Sequence, residues 1–324
     1  LKVNKFLLVQ DYLVYCLTGN YVTDGSVSCT TLLYDIIDQN WWKPALEAVG
    51  VRLDQLPGLL PVGAIAGTLT PRAASELGMH TGVKVICGGM DQSVGAIGAG
   101  NIDEGVLSET TGAALAIQVS IRNPMIDPNR ITPVYVHSVP DRYLFVPVCP
   151  TAGMTFKWFK DNFIDLDGDA NDNPYEQMNL LAEKVFPGCD GLVMLPHLMG
   201  AFSPESNPFA RGSFTGFTLM HGRGHFIRAI QEAVAFMLRQ NIEAVEQAGI
   251  AVNEIRTSGG ASRSTLWNQI KADVCGMPIV KLANSDTAMV GDAVLAGVAC
   301  GLFPSVEEAC KCMVQVSTHV EPSL

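Results

Sequence analysis

The sequence has no long apolar run, no basic cluster and none of the compact nucleotide or hydrolase motifs, and each absence narrows the field. Its best apolar stretch, Ala288 to Phe303, is interrupted by Asp292 and stops short of bilayer length, so no membrane partner is expected. The opening Leu1-Lys2-Val3-Asn4-Lys5 lacks a signal peptide's apolar core and cleavage site, and it lacks an initiator Met. The expectation is a cytoplasmic chain that begins in mid-protein. Lys and Arg number 21 against 32 Asp and Glu, a net charge of -11, without any Lys/Arg cluster; a nucleic-acid partner is therefore not expected. There is no G-x-x-x-x-G-K-[ST], and Gly95-Ala-Ile-Gly98-Ala-Gly100 has the wrong spacing for a dinucleotide fingerprint. G-x-S-x-G and H-E-x-x-H are absent as well, which argues against α/β-hydrolases and zinc proteases. The nine cysteines are scattered and odd in number, a poor disulfide framework that fits a reducing compartment. Cys310 and Cys312 lack zinc spacing, and His221 and His225, at i and i+4 beside Gly222 and Gly224, read as surface; no metal ligands are assigned.

What is present is globular. Apolar residues make up 48% and charged residues 16%, and 324 residues suffice for two domains with real cores. Apolar spacing predicts helices over Lys5–Thr18, Trp41–Val49, Pro71–Leu77, Thr155–Phe163, Tyr175–Lys184, Arg223–Ala248, Ser264–Val274 and Ala288–Gly301. Strands are expected at Val83–Cys87, which reads as buried, and at Gly105–Glu109, Ala113–Val119, Tyr143–Val148, Gly191–Leu195, Glu254–Thr257 and Pro278–Leu282. Asp165–Asn173 reads as a polar loop, and the tail as mostly helix with a polar end. Three strands, a helix, and then alternating strands and helices make an α/β layer pattern. Ligands in such folds sit where strands end in glycine turns.

Three such places stand out. Gly88-Gly89-Met90-Asp91 follows a strand; a carboxylate there could accept a proton from an attacking hydroxyl, or simply cap the next helix. Thr110-Thr111-Gly112 reads as a tight turn that could cradle phosphate, or as an ordinary hairpin turn. Gly259-Gly260-Ala261-Ser262 leads from a strand into a helix, whose N–H groups and dipole suit an anion, while the glycines leave a flat wall for a purine. An acidic protein must hold phosphate by such local devices.

Taken together, these places resemble the FGGY family of carbohydrate kinases. Lys5-Phe6-Leu7-Leu8-Val9-Gln10-Asp11-Tyr12-Leu13 through Leu17-Thr18-Gly19, then Thr23-Asp24, is similar to the late N-terminal domain of xylulokinase-type members. Gly88-Gly89-Met90-Asp91-Gln92 with Gly95-Ala96 and Gly98-Ala99-Gly100 resembles the segment that holds the catalytic base. Gly259-Gly260-Ala261-Ser262-Arg263-Ser264 with Leu266-Trp267 resembles the adenine-side signature, and Gly291-Asp292-Ala293 with Leu295-Ala296 the small-residue helix after it.

The resemblance implies an α/β, actin-like/hexokinase (ribonuclease H-like) fold. It implies the end of a sugar-binding domain over residues 1–95 and a complete nucleotide-binding domain over 96–324. It implies ATP-dependent phosphorylation of a small sugar or polyol, above all a pentulose such as xylulose, with ATP and Mg²⁺ and with a homodimer as a possible assembly. Ribulose, glycerol or gluconate, or a non-catalytic nucleotide-binding regulator, are the alternatives, and the chain alone is expected to be inactive. Asp91 would be the base, with Gln92 and Met90 at the sugar. Thr110, Thr111 and Gly112 would meet the phosphates with Gly200 near them, and Gly259, Gly260 and Ser264 would line the nucleotide pocket. Two departures stand out: Thr110-Thr111-Gly112 replaces the usual G-T-[ST], and Gly200-Ala201-Phe202-Ser203-Pro204 replaces a Gly-Glu-Arg-x-Pro stretch.

Overall fold

The computed structural model describes residues 3–127, 129–164 and 173–323. Residues 3–90 form an irregular unit of short elements. Helix α1 (Val9–Thr18) ends at Gly19, which takes the left-handed conformation at φ 79°. Short helices follow at Gly25–Ser28, Lys43–Val49 and Pro71–Leu77. Between them lie three two-stranded pairings: Val22–Asp24 with Gly58–Leu60, Tyr34–Asp35 with Asn40–Trp41, and Ile65–Thr68 with Lys84–Ile86.

Helix α2 (Asp91–Gly98) opens the larger unit. It leads to strands β1 (Gly105–Thr111), β2 (Leu115–Ile121), β3 (Val134–Val136), β4 (Tyr143–Phe145) and β5 (Val148–Cys149). Helices α3 (Gly153–Phe163), α4 (Pro174–Glu183) and α5 (Arg223–Gln247) come next. The chain then alternates: β6 (Val252–Ser258), α6 (Thr265–Cys275), β7 (Ile279–Leu282), α7 (Thr287–Ala299), α8 (Val306–Met313) and β8 (Val316–Val320).

These eight strands form one sheet in the order β8-β7-β6-β1-β2-β4-β3, with β5 also on β2. The pairs β7/β6 and β6/β1 are parallel and the rest antiparallel. Alternation along β1 and β2 assigns each face its layer. Leu107, Leu115, Ile117 and Val119 are fully buried in the main core with Ile227, Ile230, Val234, Leu238, Ile242 and Val245 of α5. Their spacing at i, i+3 and i+4 is that of a helix stripe facing a sheet. The opposite face carries α2, α7 and α8, which pack through Val94, Ile97, Val294, Leu295 and Ala309.

Four expectations need correction. Thr110 and Thr111 are not in the turn: they end β1 and pair with Ala116 and Leu115, as β-branched residues favour extended backbone. The first helix begins at Val9 rather than Lys5. The strand at Lys84–Ile86 is a half-exposed partner of a two-stranded pair rather than a buried one. The tail is not mostly helix, because β8 follows α8 and pairs antiparallel with β7. The polar loop expected at 165–173 lies outside the described residues except for Asn173, whose side chain caps α4.

Candidate active site

Parallel strands β1 and β6 end side by side, Thr110 opposite Ser258. Two cavities flank this point, one on each face of the sheet. The smaller, about 200 Å³, lies on the α2/α7 face and is lined by Asp91, Gln92, Ser108, Thr110, Gln118, Ser258 and Asp286, among others. The larger, about 820 Å³, lies on the α3/α4/α6 face, with Thr111, Gly112, Gly260, Ser264, Tyr175 and Trp267 on its walls. Adjacent residues of one strand thus look into different cavities, because side chains alternate along a strand.

Asp91 is the first residue of α2 and is exposed. Its Oδ1 accepts the Gln92 N–H at 2.7 Å, while the capping position belongs to Met90. The approach to Asp91 is fixed from the N-terminal unit. Ser26 Oγ accepts the Met90 N–H at 2.9 Å and itself donates to Asp24 Oδ1. Burial pushes the Asp24 carboxyl up to about 6, against its bonds to the Ser26 hydroxyl and to the N–H groups of Val27 and Ser26. On the other side Ser93 Oγ accepts the Ser138 N–H at 2.6 Å.

Gln92 is held by a chain of buried amides and hydroxyls. Gln118 Nε2 donates to Gln92 Oε1, and Ser108 Oγ donates to Gln118 Oε1 at 2.9 Å. Asn101 Nδ2 donates to Ser108 Oγ at 3.1 Å and to the Gln118 carbonyl at 2.8 Å. His137 Nε2 closes the chain on the Asn101 carbonyl at 3.1 Å. Gln92, which lines the small cavity, therefore spends its carbonyl on this chain and keeps its NH₂ group as its donor.

Between the two cavities, Gly259 sits at φ 80°, and an added Cβ would lie 3.0 Å from Thr110 Cγ2 and 3.2 Å from the Thr111 carbonyl. Only glycine combines that backbone with that approach. Gly260 begins a single 3-10 turn, Gly260–Arg263, and helix α6 is capped by Ser264, whose Oγ accepts the Trp267 N–H at 3.2 Å. The Thr111 hydroxyl is committed inward, donating to Glu109 Oε2 at 2.7 Å and accepting from Lys271 Nζ at 2.8 Å. What this end of β1 presents to an anion is the backbone of the turn at Gly112 and the start of α3.

The sequence-predicted residues thus divide. Asp91, Gln92 and Thr110 share the small cavity; Thr111, Gly112, Gly260 and Ser264 share the large one; Gly259 packs at the divide. Met90 precedes Asp91 without lining either cavity. Gly200 lies in the loop bridged by Ala201 and Asn207, against Pro208, and lines neither. Sequence reasoning missed Gln118, Ser108, Asp286, Glu109 and Lys271 as parts of the site. Among the described residues no group of three or more His, Cys, Asp or Glu could hold a metal ion, and no helix is long and apolar enough to cross a membrane. His221 and His225 lie with ring centroids 5.1 Å apart, and His225 Nε2 meets Asp190 at 3.2 Å. All nine cysteines are free thiols.

The profile of the C-terminal domain of the FGGY family of carbohydrate kinases matches residues 111–300, and that of its N-terminal domain matches residues 1–98. The chain belongs to the FGGY family of carbohydrate kinases. Among curated proteins it is 32% identical to a xylulose kinase of Staphylococcus epidermidis over 325 residues, covering 99% of this chain and 64% of that protein. It is 28% identical to a gluconokinase of Bacillus subtilis over 313 residues, covering 94% of this chain and 60% of that protein. The solved xylulose kinase of Rhodospirillum rubrum has a TM-score of 0.87 at 28% identity, covering 99% of this chain and 64% of that one. This FGGY chain therefore spans less than two thirds of the length of these relatives. Its mixed α/β architecture is the actin-like, ribonuclease H-like fold of the family's solved members.

Proposed function

We propose that the protein phosphorylates a small sugar at a hydroxyl group with ATP as donor, and that the sugar is a pentulose such as xylulose. One observation carries the reading: an exposed carboxylate and a cavity large enough for a nucleotide lie on opposite sides of a single strand end, at Thr110 and Thr111. Phosphoryl transfer asks the protein mainly for positioning and charge neutralisation, with one proton acceptor at the nucleophile. In this reading Asp91 takes the hydroxyl proton and Gln92 orients the sugar, with Met90 holding the backbone ahead of Asp91 through Ser26. Thr111 and Gly112 meet the phosphates from the large cavity and Thr110 from the strand end beside Asp91, while Gly259, Gly260 and Ser264 form the purine side. The same reading puts the protein in the cytoplasm, where free thiols persist.

Mg²⁺ fits as an ion carried by the phosphates. It commonly takes one or two carboxylates from protein, and Asp286 lines the cavity of Asp91. When bound it would neutralise phosphate charge, held chiefly by the phosphates and water, since the Asp286 carboxylate already caps a helix through the Met289 N–H.

The test is coupled ADP release by the full-length protein with xylulose, ribulose, glycerol and gluconate. Gluconate belongs in the panel because a gluconokinase is among the relatives. The reading expects turnover that depends on the sugar and is fastest with xylulose. ATP binding without any sugar-dependent turnover would instead favour a nucleotide-binding regulator.

A further inference from the structure

Beneath the strand end lies a charged network outside the roles assigned above. Lys271, on the buried face of α6, and Glu109, on β1, are both completely buried and meet at 2.6 Å. Lys271 Nζ also donates to Thr111 Oγ1 at 2.8 Å, and Thr111 returns a bond to Glu109 Oε2 at 2.7 Å. From β6, Thr257 Oγ1 donates to Glu109 Oε1. The Lys271 ammonium lies 5.8 Å from the centroid of the Trp267 ring, one turn earlier on α6. The network ties β1, β6 and α6 together. The two residues that it holds from below, Thr111 and Trp267, stand on the wall of the large cavity.

A buried ion pair is a weak way to stabilise a fold. Desolvating two charges costs about as much as their attraction returns, and well-packed apolar replacements are often neutral or stabilising. What such a pair does supply is geometry, since each partner must be met at a defined distance and direction. We propose that Glu109 and Lys271 are positioning residues that fix the distance between the phosphate-facing end of β1 and the purine-facing wall of α6. This rests on the kinase reading above. Neither residue touches substrate; both act through Thr111 and Trp267.

Two variants of the full-length protein test the proposal. Glu109→Leu with Lys271→Met replaces the pair by apolar groups of similar size, and Thr257→Val removes one hydroxyl that holds Glu109. We expect both to fold, the double variant with a melting temperature moderately below wild type, because the apolar pair offsets the lost ion pair while the buried Thr111 and Thr257 hydroxyls lose their partners. Turnover number should fall about tenfold in the double variant while KM for ATP stays within about threefold, the pattern of misalignment without lost binding. Thr257→Val should show a smaller loss of the same kind, and it decides the matter if the double variant does not fold. A folded variant that keeps wild-type turnover overturns the positioning role alone. Wild-type protein without sugar-dependent turnover overturns the kinase reading beneath it.

Discussion

Gly98 and Gly291 face each other where α2 and α7 cross. An added Cβ on Gly98 would lie 1.8 Å from the Thr287 carbonyl oxygen and 2.8 Å from the Gly291 nitrogen; one on Gly291 would lie 1.9 Å from the Val94 carbonyl oxygen. The two backbones are in direct contact, with no room for a methyl group on either side. The crossing matters because α2 carries Asp91 at its first turn and α7 is capped by Asp286 beside the same cavity.

Gly98→Ala and Gly291→Ala should each force the helices apart. Overpacking against rigid backbone costs about 3 kcal/mol or more, at the upper end of the usual range. Urea unfolding followed by circular dichroism measures the loss. A midpoint equal to wild type would mean that the crossing is looser than described.

His137 makes stability depend on pH. Its Nε2 bonds the Asn101 carbonyl and its Nδ1 accepts the Val139 N–H, so both nitrogens are satisfied in the neutral ring. Burial pushes its pKa down from 6.5 to about 4, with the nearby Arg142 adding to the effect against the Asn101 bond. The sign follows from proton binding: below 6.5 the unfolded chain gains a proton that the folded chain refuses. This contribution is whole above 6.5 and is lost as pH falls toward 4. Between about pH 7 and pH 5 the loss amounts to roughly 2 kcal/mol. Unfolding free energies of wild type and His137→Gln across that interval should converge as pH falls; a constant difference would exclude His137 as the source.

Gln118 should govern the acceptor rather than the nucleotide. Gln118→Leu removes the donor that fixes the Gln92 carbonyl, so Gln92 can rotate away from its cavity-facing pose. On the kinase reading, KM for the sugar rises by about tenfold, the worth of one well-placed hydrogen bond, while KM for ATP is unchanged. Steady-state kinetics with each substrate varied in turn separates the two. Equal effects on both would show that Gln118 supports the strand rather than the sugar subsite.

Local signals made some of this legible in sequence. The stripe on α5, the helix starting near Ser264 and the glycines before Asp91 and after Ser258 follow from spacing within one element. Other features were hidden. Thr110 and Thr111 beside a glycine resembled a turn, yet only the pairing with β2 shows that they are strand. Strand β8 is mostly exposed and carries no burial rhythm to read. Glu109 and Lys271 are separated by 162 residues, so no local pattern joins them. Lys271 did offer a clue, because it falls on the buried stripe of α6 with Trp267, Ile270 and Cys275. A charge at such a position signals a partner without naming it.

The central claim is that Asp91 accepts the proton of an attacking hydroxyl. Asp91→Asn keeps the size of the side chain and removes its basicity. In the full-length protein, with xylulose and ATP at saturation, the account predicts a fall in turnover number of about a hundredfold or more, with both KM values little changed. An Asp91→Asn protein that turns over at the wild-type rate would contradict it.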